Sequence, residues 1–226
     1  MHLLAGNLHI SFYVLLAFGI YVLFRAFNGG GLLAVGLGAA AVVVGFLASA
    51  AQVLPVIEAA GRSHRPVVTY EILRSYRLPL AHLLGCLMPD LFGNPVDYNH
   101  WGAFLGGAYR AYTETAWYVG ACAVALAIVA TVAVRRWEVS CLLAIFGAGI
   151  VLALSPAANL ALGALLPPFR RLLGINRAIV MCGFALAALC ALGAEELLSS
   201  RARRILIWST FVCVLLGAAA AAWAWF

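Results

Sequence analysis

From Leu32 to Ile57 the chain carries no charged residue, and other apolar runs of similar character lie on both sides of it. A helix of about 18–20 apolar residues matches the ~30 Å hydrocarbon core of a bilayer. Inside lipid the backbone must satisfy its own hydrogen bonds, so such runs fold as helices. Composition points the same way: 65% of residues are hydrophobic, 10% are charged and the mean hydropathy is +1.04. A soluble domain carries about 25% charge. These features predict an all-α fold, a polytopic transmembrane helical bundle forming a single integral membrane domain over residues 1–226.

The runs predict about six spans, at roughly 8–27, 32–57, 116–134, 139–154, 179–192 and 205–226. In the first, Tyr13, Tyr21 and Phe24 sit where aromatic rings favour the lipid–water boundary. Arg25, Asn28 and glycines 29–31 then predict a tight turn. In the second, Gly36, Gly38, Ala41 and Gly45 allow close helix approach, and Gln52 with Pro55 is expected to end the span. Ser155-Pro156 interrupts the fourth, and residues 160–169 form a short apolar segment.

Between the second and third spans lies a polar insert, 58–115, holding five of the eight acids (Glu58, Glu71, Asp90, Asp97, Glu114) and five of the fourteen arginines. Its apolar stretch 79–92 is too short to cross a membrane and predicts a short interfacial or re-entrant helix, followed by a turn-rich loop at Pro89, Gly93 and Pro95. The turns after spans one, three and five carry Arg25, then Arg135 and Arg136, then Arg201, Arg203 and Arg204. The loop between spans four and five carries Arg170, Arg171 and Arg177. The positive-inside bias therefore places the first set in the cytoplasm and the insert outside.

Several function classes lose their signatures. The sequence contains no Walker A, GxSxG or GxGxxG motif and no HExxH spacing. The net charge of +6 is split among short loops, which argues against a nucleic-acid partner. None of the six cysteines forms a zinc spacing, so buried, inert thiols are expected. MHLLAGNLHI lacks the basic region and cleavage site of a signal peptide.

The candidate chemistry lies in the insert and the 170–177 loop. Asp90 and Asp97, in MPDLFGNPVDYNHW, could act as a general base or hold a divalent cation, or could simply be turn residues. Glu114 precedes the third span and could be catalytic or a first-turn carboxylate favoured by the helix dipole. Arg170, Arg171 and Arg177 suit a lipid phosphate or pyrophosphate, or anionic headgroups generally. Glu58 and Arg65, with His100, complete the set of substrate-binding candidates, and a Glu58–Arg62 pair at i,i+4 is the simpler account of Glu58.

Four stretches in order, GNLHISFYVLLAFGIYVLFR, AQVLPVIEAAGRSHR, LMPDLFGNPVDY with YTETAWYVG, and LLPPFRRLLGINRAIVMCGFALAALCALGAEEL, resemble the YfhO-like bacterial membrane proteins. That family is similar to the C-type glycosyltransferases. The resemblance implies a multi-pass protein of the bacterial cytoplasmic (inner) membrane, with an extracytoplasmic site that transfers a sugar from a polyprenyl-phosphate donor to a cell-envelope acceptor. It gives Arg170, Arg171 and Arg177 a place near the lipid phosphate. In such enzymes the catalytic acid lies in the first outer loop, and the chain opens at what resembles a later span. The expectation is accordingly a partial chain whose main base lies elsewhere. A flippase-like transporter and a structural subunit are the alternatives; ionisable residues at mid-bilayer depth would mark the first, and the charged residues here fall in loops or at span ends.

Overall fold

The computed structural model describes residues 7–62, 68–105, 112–166, 174–198 and 200–225. Among them there is helix and no strand. Four helical stretches are long and apolar enough to cross a membrane: His9–Ala48, Trp137–Leu154, Ile175–Glu195 and Ala202–Trp223.

The first of these is bent back on itself. Helix α1 (Leu8–Arg25) begins at Asn7, whose side chain accepts from the Ile10 amide at 3.3 Å, a standard N-cap. Helix α2 (Gly31–Ala48) follows a π-turn at Ala26–Gly30 in which Asn28 and Gly29 leave helical geometry. Gly29 takes φ +95° and Gly31 φ +50°, conformations that cost glycine little. Two bonds tie the turn, Arg25 to the Asn28 carbonyl at 3.2 Å and the Asn28 amide to the Phe24 carbonyl at 2.8 Å. Val22 and Gly38 then meet so closely that a Cβ on Gly38 would stand 2.7 Å from a Val22 methyl. In a straight helix those residues would be about 24 Å apart, so α1 and α2 form a hairpin.

Pro55 does not end the second helical run, as its sequence position had implied. The break falls at Ser49, which leaves helical geometry and whose hydroxyl donates back to the Gly45 carbonyl at 2.6 Å. Helix α3 (Ala50–Arg62) resumes at once and carries Pro55 within it. The third apolar run is also shorter than its composition implies. Gly120, at φ +99°, delays helix α6 (Ala121–Ala133) to 13 residues, about 20 Å. The residues before it are tied to the 3-10 run at Leu80–Cys86, because the Val119 and Gly120 amides both donate to the Cys86 carbonyl, at 3.2 and 2.9 Å.

Helix α7 (Trp137–Leu154) gives way to α8 (Pro156–Leu165) at Ser155, whose hydroxyl caps the Ala158 amide at 3.2 Å. Buried Asn159 donates to the Leu152 and Ser155 carbonyls at 2.6 and 2.8 Å, satisfying acceptors that the broken helix leaves open. A single 3-10 turn, Ile175–Ala178, leads into α9 (Ile179–Glu195), and α10 (Ser200–Trp225) closes the bundle.

Helix α9 is the centre, packed most extensively on α6 and α7, with α10 on the far side of α6 and α1 against α7. Lipid tails are as apolar as leucine, so association here depends on close packing by small residues. Gly193 lies against the Leu126 carbonyl and Gly149 against Cys182; an added Cβ would meet those atoms at 2.0 and 2.7 Å. Ala127, Ala130 and Ala185 are buried in the same seams. The outer faces of α2 and α10 remain apolar and open, with Leu32, Leu33, Ile207 and Trp208 all exposed.

Insert residues α4 (Tyr70–Tyr76) and α5 (Tyr112–Thr115) frame the polar region. The apolar stretch between them folds as a short helix of 3-10 type, Leu80–Cys86, followed by turns. The insert is docked on the bundle through the Leu78 amide, which donates to the Ala153 carbonyl at 2.9 Å, and through Trp101, 5.7 Å from Trp223. The opposite end gathers Tyr21 beside Trp137 (5.9 Å between rings) and the Arg136–Glu195 pair at 3.3 Å. Tyr13, expected at the lipid–water boundary, is instead fully buried.

Candidate functional site

Two polar clusters meet in α5. The first is built on Glu114. Its Oε1 takes the Arg177 Nε at 3.0 Å and also pairs with Nη2, while Oε2 accepts from the Asn176 amide at 3.2 Å. The remaining terminal nitrogen of Arg177 lies 3.2 Å from His9 Nδ1, in the first turn of α1. Both charged side chains are mostly buried, Arg177 at 28% exposure and Glu114 at 12%. One turn along α1, the Tyr13 hydroxyl donates to the Gly174 carbonyl at 3.3 Å. The cluster therefore ties α1, α5 and the entry to α9 together. Each of its guanidinium nitrogens has a partner within the protein, which makes Arg177 an internal tether of this cluster. Glu114 is likewise held by a specific cation and amide, and the helix dipole of a four-residue helix is not what explains it.

The second cluster surrounds a cavity of about 80 Å³ lined by His82, Asp90, His100, Tyr112 and Trp117, among others. Asp90 adopts φ +50° at the turn after the 3-10 run, a left-handed conformation that Asp tolerates better than most residues. Its Oδ1 accepts from the Tyr112 hydroxyl. That bond, which favours the neutral phenol, raises the Tyr112 pKa above the ordinary value near 10. His100 stands edge-on to the Tyr112 ring at 5.3 Å, and its Nε2 is buried without a hydrogen-bond partner.

His82 forms the wall behind them. It is buried, its ring lies tilted against Phe92 with 4.4 Å between centroids, and its Nε2 faces the Gly102 carbonyl at 3.3 Å. Burial holds its pKa below the usual imidazole value, against the opposing pull of the Gly102 carbonyl, and nearby His100 pushes the same way as burial. The neutral ring then donates from Nε2. The His82 carbonyl accepts from the Trp117 indole at 2.8 Å, which fixes the wall to the approach of α6. Gly93, at φ +77°, permits the loop to close, since a Cβ there would stand 2.0 Å from the Asn99 carbonyl oxygen. Cys86, beside this wall in sequence, has its thiol pushed up to about 11 by burial and is poorly suited to act as a nucleophile.

The remaining sequence candidates are placed apart from this cavity or lie outside the described residues. Asp97 ends an exposed turn, Pro95–Asp97, capped by the Asn94 side chain on the Val96 amide at 2.9 Å. Glu58 pairs with Arg62 at 2.8 Å on the exposed face of α3, an i,i+4 pair worth a few tenths of a kcal/mol, ~0.3–0.5. Arg65, Arg170 and Arg171 lie outside the described residues. Among those residues, no group of three His, Cys, Asp or Glu side chains is arranged to hold a metal ion.

Tyr112, Asn176 and Tyr13 carry much of this geometry and had no signal in the sequence as site residues. Tyr13 read as an interfacial aromatic. Only the pairing of segments far apart in the chain exposes their roles. No protein family, curated protein or solved structure matches this chain.

Proposed function

We propose that the chain is the membrane-embedded part, or the whole, of a glycosyltransferase that moves a sugar from a polyprenyl-phosphate donor to a hydroxyl acceptor of the cell envelope. In this reading α1, α2, α6, α7, α9 and α10 are six crossings of a bacterial cytoplasmic membrane. The arginine-bearing turns face the cytoplasm and the insert faces out. The resemblance to the YfhO-like proteins supplies the reaction class. The observation that carries the site is Asp90, hydrogen-bonded to Tyr112 and next to His100, lining a cavity in the insert, which is docked at the end of the bundle opposite the Arg136–Glu195 pair.

The chemistry asked of these groups is modest. We assign Asp90 the base role that the resemblance places in an outer loop elsewhere: an acceptor hydroxyl entering the cavity gives its proton to the Asp90 carboxylate, with Tyr112 and His100 holding the oxygen in line. The acceptor oxygen bonds to the anomeric carbon, the bond from that carbon to the phosphate oxygen breaks, and polyprenyl phosphate leaves with the electron pair. Arg170, Arg171 and Arg177 are the cations the resemblance assigns to that phosphate. Glu114 and Arg177 serve as positioning residues that set α5, and hence Tyr112, against α9.

The test is sugar transfer by the protein reconstituted in nanodiscs with a radiolabelled polyprenyl-phosphate sugar. Wild type should release polyprenyl phosphate, and Asp90→Asn should slow release by about 100-fold, the low end for loss of a general base. Equal rates in the two proteins would remove Asp90 from the reaction. Donor binding without any transfer by wild type would favour a non-catalytic carrier.

A further inference from the structure

At the end of the bundle opposite the insert, α6 and α10 leave an open groove of about 600 Å³ lined by Ile128, Arg204, Ile205, Trp208, Ser209 and Val212. The two helices run antiparallel here, since Ser209 reaches the Ala125 carbonyl at 3.4 Å while Ile128 lines the groove with Arg204 and Ile205. From Arg204 to Val212 the groove follows α10 for about 12 Å. Its size lies within the ~300–1,000 Å³ of ligand sites.

The groove has one charged end and an apolar length. Ser209 is buried and its hydroxyl is already used, donating to the Leu206 carbonyl at 3.1 Å as well as toward Ala125. The guanidinium of Arg204 is thus the polar group the lining has to offer a ligand. Arg203 and Arg204 are both exposed, and among the described residues neither is in an ion pair. Trp208, one turn further along, is 70% exposed, and an indole near the end of an apolar helix favours the headgroup boundary.

We infer that this groove binds one anionic glycerophospholipid, its phosphate on Arg204 in the lining, with neighbouring exposed Arg203 adding to the positive field, and an acyl chain against Ile128, Trp208 and Val212. The charge selects the anion. The apolar length selects a lipid over a soluble phosphate, which would leave the groove unfilled. Basic pockets between membrane helices commonly take such headgroups.

The test uses the full chain in phosphatidylcholine vesicles containing brominated phosphatidylglycerol, with the reciprocal mixture as control. Bromine quenches nearby tryptophan, and the Trp208 share is the difference between wild type and Trp208→Phe. Each arginine near the surface favours an anionic lipid by about fivefold. Wild type should therefore prefer phosphatidylglycerol at Trp208 by at least about fivefold. Arg203→Gln/Arg204→Gln should bring the ratio close to one. Ile128→Phe, on the facing helix, should lower it by filling the groove, and added glycerol 3-phosphate should leave it unchanged. A wild-type ratio near one, a ratio retained without both arginines, or competition by glycerol 3-phosphate overturns the inference. So does a groove shielded from both lipids by a second copy of the chain.

Discussion

Glu114 and Arg177 stand 63 positions apart in the chain and form a mostly buried ion pair in which a single carboxylate oxygen takes two guanidinium nitrogens. Removing one partner strands the other charge, which in buried pairs costs about 3–5 kcal/mol. With Arg177 still 28% exposed, the lower end, about 3 kcal/mol, is the expected cost of Glu114→Gln or of Arg177→Met. The double variant should lose less than the sum of the two. Melting in detergent, analysed as a double-mutant cycle, measures the coupling, and simple additivity would show that the pair contributes nothing.

Glycine substitutions should separate packed from open faces along one helix. Gly193→Ala drives a Cβ to 2.0 Å from the Leu126 carbonyl oxygen, which α6 can relieve only by moving off α9. The expected loss is about 1–3 kcal/mol, as for other overpacked sites. Gly183, in the same helix, has nothing within 4 Å. Alanine there should be neutral or stabilising by up to about 1 kcal/mol from helix propensity. Equal melting temperatures for the two variants would contradict the α6–α9 seam.

The lowered pKa of His82 makes stability depend on pH in a definite direction. Below the ordinary imidazole value, about 6.5, the unfolded chain takes up a proton that the folded one resists. The stabilising contribution is therefore present above that pH and is lost as pH falls through the folded value. Melting temperature followed from pH 8 downward should drop on the acid side, and His82→Gln should flatten that drop. An unchanged slope in the variant would mean that other groups cause it.

Asp90 raises the pKa of Tyr112 chiefly through a hydrogen bond. Asp90→Ala should return Tyr112 toward the usual tyrosine value of about 10. The ultraviolet difference titration between each protein and its Tyr112→Phe counterpart isolates that one phenol. If Asp90→Ala leaves it where it was, the contact does not persist in solution.

Helicity and affinity for a membrane were readable from the chain because both are local. Uncharged apolar runs must close their backbone bonds internally, so α1, α2, α7, α9 and α10 follow closely from composition. Punctuation was read less well. Pro55 looked like a stop, yet Ser49, by bonding back to Gly45, is where the helix breaks. Gly120 shortened α6 through a positive φ that composition does not reveal.

What the sequence by itself determined is an all-helical chain with helices able to cross a membrane, and a polar stretch, 58–115, where most of its carboxylates lie. It could not say which apolar helix is central. A helix bound for lipid is apolar on every face, so periodicity does not distinguish α9, buried along much of its length, from α2, where only Gly38 is buried. That choice depends on shape, on where Gly149 and Gly193 let backbones approach. Only the tertiary structure joined Asp90 to Tyr112 and Glu114 to Arg177. Both are contacts between segments distant in sequence, and no local pattern encodes the partner of a charge when the chain between them is free to fold in many ways.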